Sequence, residues 1–303
     1  MRIGLIARAG EDGALLDLLQ EAVARWREEG HEVRPRATFE AGDARAFTRT
    51  LRRWADLLVV TGGDGTLNEV ANGLVTKGPR PRLAIVPAGT ANDFAAGIGL
   101  PVDDVEACLH LATSGPAVNV DIARVNGRAF LNVSVGGLGV NASRNASPES
   151  KRLLGGLAYA LRGVREIADA LPERGKFRAD GKQVHDGEFL FFAVGNGRLT
   201  GGGTLIAPGA DAGDGRMDLV LLRSVPKLEL VRLLPAIRAG EHREHPEVLY
   251  VKARTVEVQL TGTVPVNIDG EPIEASRLRY RASGERVEVV VPGGSAPVGE
   301  PDR

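Results

Sequence analysis

Two short apolar runs, Leu57-Leu58-Val59-Val60 and Leu83-Ala84-Ile85-Val86, restrict the folds open to this chain more than any other feature. Both are too short for a helix and neither alternates, which is the pattern of a strand buried on both faces of a parallel sheet. Each also runs directly into a glycine- and threonine-containing turn. The first continues as Thr61-Gly62-Gly63-Asp64-Gly65-Thr66-Leu67-Asn68-Glu69, the second as Pro87-Ala88-Gly89-Thr90-Ala91-Asn92-Asp93. Adjacent parallel strands end at one edge of the sheet, so the two turns should meet where α/β proteins bind ligands.

The surrounding rhythm agrees. An apolar run at residues 3–7 reads as a strand. Residues 14–29 carry Leu15, Leu18, Leu19, Ala22, Val23 and Trp26 at helical spacing and stop at Gly30. Residues 31–38 alternate like a strand, and 44–55 and 102–113 read as helices. From about residue 120 the pattern changes. Asn126-Gly127 and Asp180-Gly181 are two-residue hairpin signals. Strands are expected near 118–125, 129–135, 176–179, 183–194, 217–222, 249–252, 255–260, 264–268, 277–281 and 286–291, with helices near 150–171 and 226–239. The fold expected is an α/β nucleotide-binding domain (a parallel sheet with flanking helices) over residues 1–121, then a β-rich antiparallel domain over 122–284. The final segment, 285–303, is able to fold back onto the first domain, ending in a Gly/Pro-rich tail.

The chemistry of the first turn turns on Asp64. Glycines at 62, 63 and 65 let the backbone approach a ligand, and Thr66 to Glu69 has capping-box spacing for a helix starting there. Free amides at that helix end attract anions. A carboxylate among them should repel phosphate unless a divalent cation stands between the two. Alone, Gly-Asp-Gly is also a common turn; the second strand–turn copy favours a metal–nucleotide site.

Bulk properties exclude other classes. With 303 residues and a net charge of -1, the chain lacks the basic excess of a nucleic-acid binder. A single cysteine, Cys108, precludes an internal disulfide and suits a reducing cytosol. No run of 18 apolar residues appears, and the start, MRIGLIARAGEDG, reads as a first strand and not as a signal peptide. The five histidines, His31, His110, His185, His242 and His245, lack close ligand spacing with one another, except His242 and His245 in a loop, and read as surface residues.

GGDGTLNEV followed by PAGTANDFA, then GNGRLTGGG (195–203), APGADAGDGRMDLVLL (207–222) and NIDGEPIEA (267–275), resembles the diacylglycerol-kinase-like catalytic family, and most closely the bacterial YegS-type lipid kinases. The resemblance runs nearly the whole length, with all five pieces in the family's order. It implies a two-domain kinase with ATP and magnesium in the interdomain cleft and a lipid hydroxyl as acceptor, phosphatidylglycerol first and diacylglycerol second. It assigns ATP contacts to Thr38, Gly62, Gly63, Asp64, Gly65, Thr66, Leu67, Asn68, Glu69, Thr90 and Asn92. Glu271 would be the general base. Asp64, Asp93 and Asp121 would form an acidic network around the catalytic magnesium. A second, structural magnesium or calcium would sit on the Asp214 side chain and the carbonyls of Asp211 and Arg216.

Taken locally, several of these positions have plainer readings: a hairpin turn for Glu271, a strand end for Thr38, turn-stabilising side chains for Thr90 and Asn92, a turn before a strand for 211–216. One departure is clear. Where many relatives have Asn-Pro-x-x-Gly after the first strand, this chain has Ala7-Arg8-Ala9-Gly10. The helix at 151–171 carries Lys151, Arg152, Arg162 and Arg165 beside an apolar face, which suits either packing on the β-rich domain or contact with an anionic bilayer. The expected location is therefore the cytoplasm, with transient contact at the inner face of the membrane. Two rival classes share the glycine turn or the fold: NAD kinases and phosphofructokinases, and a non-catalytic lipid- or nucleotide-binding protein.

Overall fold

The structure is a computed structural model that describes residues 1–9, 13–75, 78, 80–137 and 171–293. Gly10, all of the 150–171 helix but Leu171, and the tail from 294 lie outside the described residues. The first half alternates strand and helix: β1 (Arg2–Arg8), α1 (Gly13–Glu28), β2 (Glu32–Thr38), α2 (Asp43–Leu51), β3 (Leu57–Gly62), α3 (Asp64–Leu74) and β4 (Arg82–Pro87). Two further helices follow, α4 (Asp93–Gly97) and α5 (Val105–Ser114). Strands β4-β3-β1-β2 lie side by side and parallel. Every residue of β3 is buried, as its unbroken apolar run requires. Leu58 and Val60 belong to the core shared with Leu67, Val70 and Leu74 of α3, while Leu57 and Val59 face the core that holds Trp26 of α1 and Leu109 of α5. Alternation is absent from the sequence because both faces are covered.

The second half is antiparallel: β5 (Ala117–Val125), β6 (Arg128–Phe130), β7 (Val133–Gly137), β8 (Glu173–Ala179), β9 (Lys182–Gly195) and β10 (Met217–Arg223). Helix α6 (Lys227–Ala239) follows, then β11 (Val248–Ala253), β12 (Thr255–Ile268) and β13 (Glu271–Val290). The hairpin turns at Asn126-Gly127, Asp180-Gly181 and Asp269-Gly270 all place both residues at positive φ, the geometry that matches strand twist in a two-residue turn. Phe177, Phe189 and Phe192 pack edge-on, with ring centroids 5.1–5.9 Å apart, at the centre of this half.

The two halves share one hydrogen-bonded sheet, in the order β11-β10-β9-β7-β12-β13-β4-β3-β1-β2. Strand β13 makes the junction. It leaves the 269–270 turn antiparallel to β12, runs along β5 with Arg286 opposite Asp121, and ends with Val289 beside Leu83 of β4.

Several expectations need correction. The separate strands at 255–260 and 264–268 are one strand, β12, with a register shift between Gln259 and Val264. Those at 277–281 and 286–291 are likewise one strand, β13, shifted between Ala282 and Glu285. A bulge absorbs the extra residues without ending the pairing, although in sequence Thr-Gly-Thr and Ser-Gly look like stops. The capping box at Thr66–Glu69 does not form. Helix α3 starts earlier, with Gly63 as N-cap, so Thr66 falls inside the first turn. Finally, His242 is fully buried and not a surface residue. Burial lowers its pKa, and its Nε2 lies 3.1 Å from the Ile206 carbonyl.

Among the described residues, no helix is long and apolar enough to cross a membrane.

Candidate active site

The two glycine turns touch. A Cβ added to Gly63 would lie 2.9 Å from Gly89 Cα, closer than real contacts allow, so both positions are restricted to glycine by the approach of one backbone to the other. Asn92 fastens the second turn: its Oδ1 accepts from Gly89 N at 2.9 Å and its Nδ2 donates to Gly89 O at 3.0 Å. The Asn92 side chain is thus engaged with its own turn. Thr90 is exposed on the same turn.

Asp64 joins the turns electrostatically. Its carboxylate accepts from Asp93 N at 3.2 Å and Phe94 N at 3.1 Å, the free amides at the start of α4. Asp93 in turn accepts from Gly202 N and Gly203 N at 2.8–3.1 Å, reaching the glycine run of the second half. Burial raises the Asp64 pKa, and the negative charge of Asp93 adds to the shift. A desolvated carboxylate with a second one beside it suits a divalent cation, which would offset the repulsion.

A further acid, without a signal in the sequence, lies close enough to Asp64 to be repelled by it. Asp269 is buried and accepts from the amides of Leu131, Asn132 and Val133 at 2.7–3.1 Å and from Asn68 Nδ2 at 3.1 Å. Burial pushes its pKa up to about 6 against those donors, and Asp64 contributes repulsion. Asp269 therefore stands within electrostatic reach of the first glycine turn. Asp121 faces elsewhere. It is 2% exposed, pairs with Arg286 Nε at 2.7 Å and accepts from Gly215 N at 2.6 Å.

Asn68 and Glu69 leave α3 in different directions. Asn68 points inward, and its Oδ1 accepts from Arg128 at 3.1 Å. Glu69 accepts from Gly42 N at 2.7 Å and Arg45 N at 3.3 Å, serving as the anionic cap of α2. Leu67 lies in the core. Arg128 also forms an ion pair with Glu271, which follows the 269–270 turn directly.

Two adjoining cavities open here. One, of 540 Å³, is lined by Glu271, Arg128, Asn68, Asn72, Glu69 and Arg45 together with Ala41 and Gly42. The other, of 230 Å³, is lined by Thr38, Thr66, Glu69, Arg8 and their neighbours. Glu69 and Ala41 belong to both. The expected base and the helix that begins at the first glycine turn thus border one cleft, although 202 residues separate Glu271 from Glu69 (271 minus 69). Arg128, Arg45 and Asp269 carried no local signal, since their partners are distant in sequence.

The 211–216 loop forms a separate acidic corner. Asp211 Oδ1 accepts from Gly213 N at 2.8 Å, and Asp214 Oδ1 from Arg216 N at 2.8 Å. Lys252 Nζ lies 2.9 Å from Asp214 Oδ2, so an ammonium already balances that carboxylate. No cluster of three or more His, Cys, Asp or Glu side chains suited to an ion occurs among the described residues. One carboxylate and two carbonyls, the set expected here, would not form such a cluster.

A parallel α/β sheet with paired glycine turns, joined to a β-rich half whose 269–271 turn meets the helix grown from the first of them, is the arrangement of a kinase of the diacylglycerol-kinase-like fold. Comparison with known proteins agrees. Residues 6–125 match the diacylglycerol kinase catalytic domain and residues 133–291 the YegS C-terminal NAD kinase beta sandwich-like domain. A Pseudomonas aeruginosa protein named a probable lipid kinase YegS-like is 39% identical, covering 94% of this chain and 93% of its own. A Bacillus subtilis diacylglycerol kinase is 34% identical over 84% of both chains. A solved diacylglycerol kinase from Bacillus anthracis superposes with a TM-score of 0.80 at 25% identity, covering 97% of this chain and 98% of that one. Yeast NADH kinase, at 11% identity and a TM-score of 0.52, shares the fold. The chain belongs to the YegS-type branch of the diacylglycerol-kinase-like lipid kinase family.

Proposed function

We propose that the protein transfers the γ-phosphoryl group of ATP to a lipid hydroxyl, with phosphatidylglycerol the first acceptor to test and diacylglycerol the second. The observation that carries this reading is the shared cleft, which brings Glu271 beside the helix that starts at the first glycine turn. Gly62, Gly63, Gly65 and the α3 amides would cradle phosphates, with Thr38 and Thr66 lining the adjoining cavity. Magnesium, when bound, would neutralise phosphate charge at the place where Asp64 and Asp93 stand. Glu271 would take the proton from the attacking hydroxyl, a step typically worth about 10²–10⁴-fold.

The ion pair with Arg128 bears on that role. Arg128 occupies the carboxylate that would receive the proton, so Arg128 would have to turn toward the acceptor as it binds. Arg45 and Arg128 make the cleft suited to an anionic headgroup, which supports phosphatidylglycerol over diacylglycerol as the first candidate. Lys252 would compete with the structural cation on Asp214, with the carbonyls of Asp211 and Arg216 as the remaining ligands. Action on a membrane lipid would bring the protein transiently to the inner membrane face.

The test is transfer of labelled γ-phosphate to a panel of lipids, with NAD and fructose 6-phosphate as control acceptors. Label in a lipid and in neither control supports the reading. Turnover with NAD alone would replace it, and magnesium-dependent transfer to nothing would leave a binding protein.

A further inference from the structure

The first half contains a further cavity, different in character from the two that form the cleft. Helix α1 packs its buried stripe, Leu19, Ala22 and Trp26, over β1 and β3. Strand β2 is the edge of the sheet, and the helix does not cover it fully. Pro35 and Ala37 remain exposed beside Leu16, which is 50% exposed. Between α1 and β2 lies a groove of 520 Å³ whose floor is Leu5 and Leu19 and whose walls include Leu16, Val23, Pro35 and Ala37. That volume and apolar lining are those of a ligand pocket.

The polar groups on its rim have one sign. Arg8, Arg27 and Arg36 line the groove, and no acidic side chain does so among the described residues. Arg36 donates to the Pro35 carbonyl at 2.8 Å and Arg27 reaches the Val33 carbonyl at 3.5 Å. Neither contact neutralises charge. Arg8 also lines the cavity that holds Thr38 and Thr66, so the groove opens beside the nucleotide side of the molecule.

An apolar trough edged by three guanidinium groups complements an amphiphile with an anionic head. We propose that this groove binds one acyl chain of an anionic phospholipid, with the chain along α1 and the phosphate against Arg27 and Arg36. This site is distinct from the acceptor cleft and does not depend on catalysis. It would hold the protein on the lipid whose charge the arginines recognise.

Binding is measured without nucleotide, using lysophosphatidylglycerol and lysophosphatidylcholine of equal chain length below their micelle concentrations. The wild-type protein is expected to prefer the anionic lipid by about tenfold or more. Ala24→Trp, which fills the groove, and Arg27→Glu, which reverses the rim charge, should each weaken it by about tenfold. Glu271→Gln should bind unchanged. Leu16→Glu is half exposed and tolerable to the fold, so it stands in should Ala24→Trp fail to fold. No binding by the wild-type protein, equal affinity for both lipids, or unaltered binding by the groove variants would overturn the proposal. Loss of binding in Glu271→Gln would relocate the lipid to the cleft and do the same.

Discussion

Asn68 donates through Nδ2 to the carboxylate of Asp269 at 3.1 Å, across a sequence separation of 201 residues. The amide sits in the helix that grows from the first glycine turn, and the acid precedes the expected base by two positions. Through Arg128, which donates to Asn68 Oδ1 and pairs with Glu271, the same amide is also linked to the Glu271 carboxylate. The helix that grows from the first glycine turn and the 269–271 turn are therefore fastened to each other by one polar network, buried at Asn68 and half-buried at Arg128 and Glu271.

Asn68→Ala should release that fastening. Asp269 loses a donor at a site that is only 6% exposed, at a cost of about 1–3 kcal/mol. Denaturant unfolding measures the loss. Turnover should fall along with it, because Arg128 loses one of the two groups that set its position. A stability change below about 0.5 kcal/mol would show the network to be incidental.

Gly63→Ala tests the approach of the two turns. The new methyl would stand 2.9 Å from Gly89 Cα, and a backbone atom cannot yield as a flexible side chain can. Overpacking of this kind costs about 1–3 kcal/mol. The affinity for magnesium–ATP, read by calorimetric titration, should fall as the turns separate. Wild-type affinity in the variant would mean that the nucleotide does not use this contact.

Arg286→Met removes the ion-pair partner of Asp121, which is 2% exposed. Because Arg286 is itself about half exposed, the expected loss is about 2 kcal/mol, less than for a fully buried pair. Adding Asp121→Asn should recover part of it, and a double-mutant cycle on thermal or denaturant unfolding measures the coupling.

Asp218 offers a pH-dependent test away from the cleft. It is fully buried, accepts from Tyr250 Oη at 2.7 Å, and its second oxygen has no partner among the described residues. Burial pushes its pKa up to about 6. The native state then holds a proton that the unfolded chain has released between about pH 4 and pH 6, so this group lowers stability as pH rises through that window. Asn can still accept from Tyr250 without the charge. Asp218→Asn should match the wild-type melting temperature near pH 4 and exceed it increasingly up to about pH 6.5. A constant difference across that range would contradict the assignment.

The parts legible in the sequence were those set by local physics. Buried parallel strands must be apolar on both faces, so 57–60 and 83–86 announced β3 and β4. Two-residue hairpin turns need residues that tolerate positive φ, so Asn126-Gly127 and Asp180-Gly181 marked the antiparallel half. What escaped depended on distant partners. A bulge keeps β12 and β13 paired where the chain reads as interrupted. Glu69 had the right spacing to cap its own helix but caps α2, because α3 starts at Asp64. His242 has no feature that distinguishes a buried ring from a surface one. Arg128 and Asp269 matter through contacts that the fold alone creates. Among the acids expected around the metal, Asp64 and Asp93 come together, whereas Asp121 is committed to Arg286 and the 211–216 loop.

The most direct test of the account is the rate of magnesium-dependent transfer of labelled γ-phosphate to lipid by Glu271→Gln, measured beside its magnesium–ATP affinity. The expected result is an intact fold, nucleotide affinity within about twofold of wild type, and turnover lower by about two orders of magnitude or more. Wild-type turnover in this variant would remove the base from Glu271 and with it the reading of the cleft as a phosphoryl-transfer site.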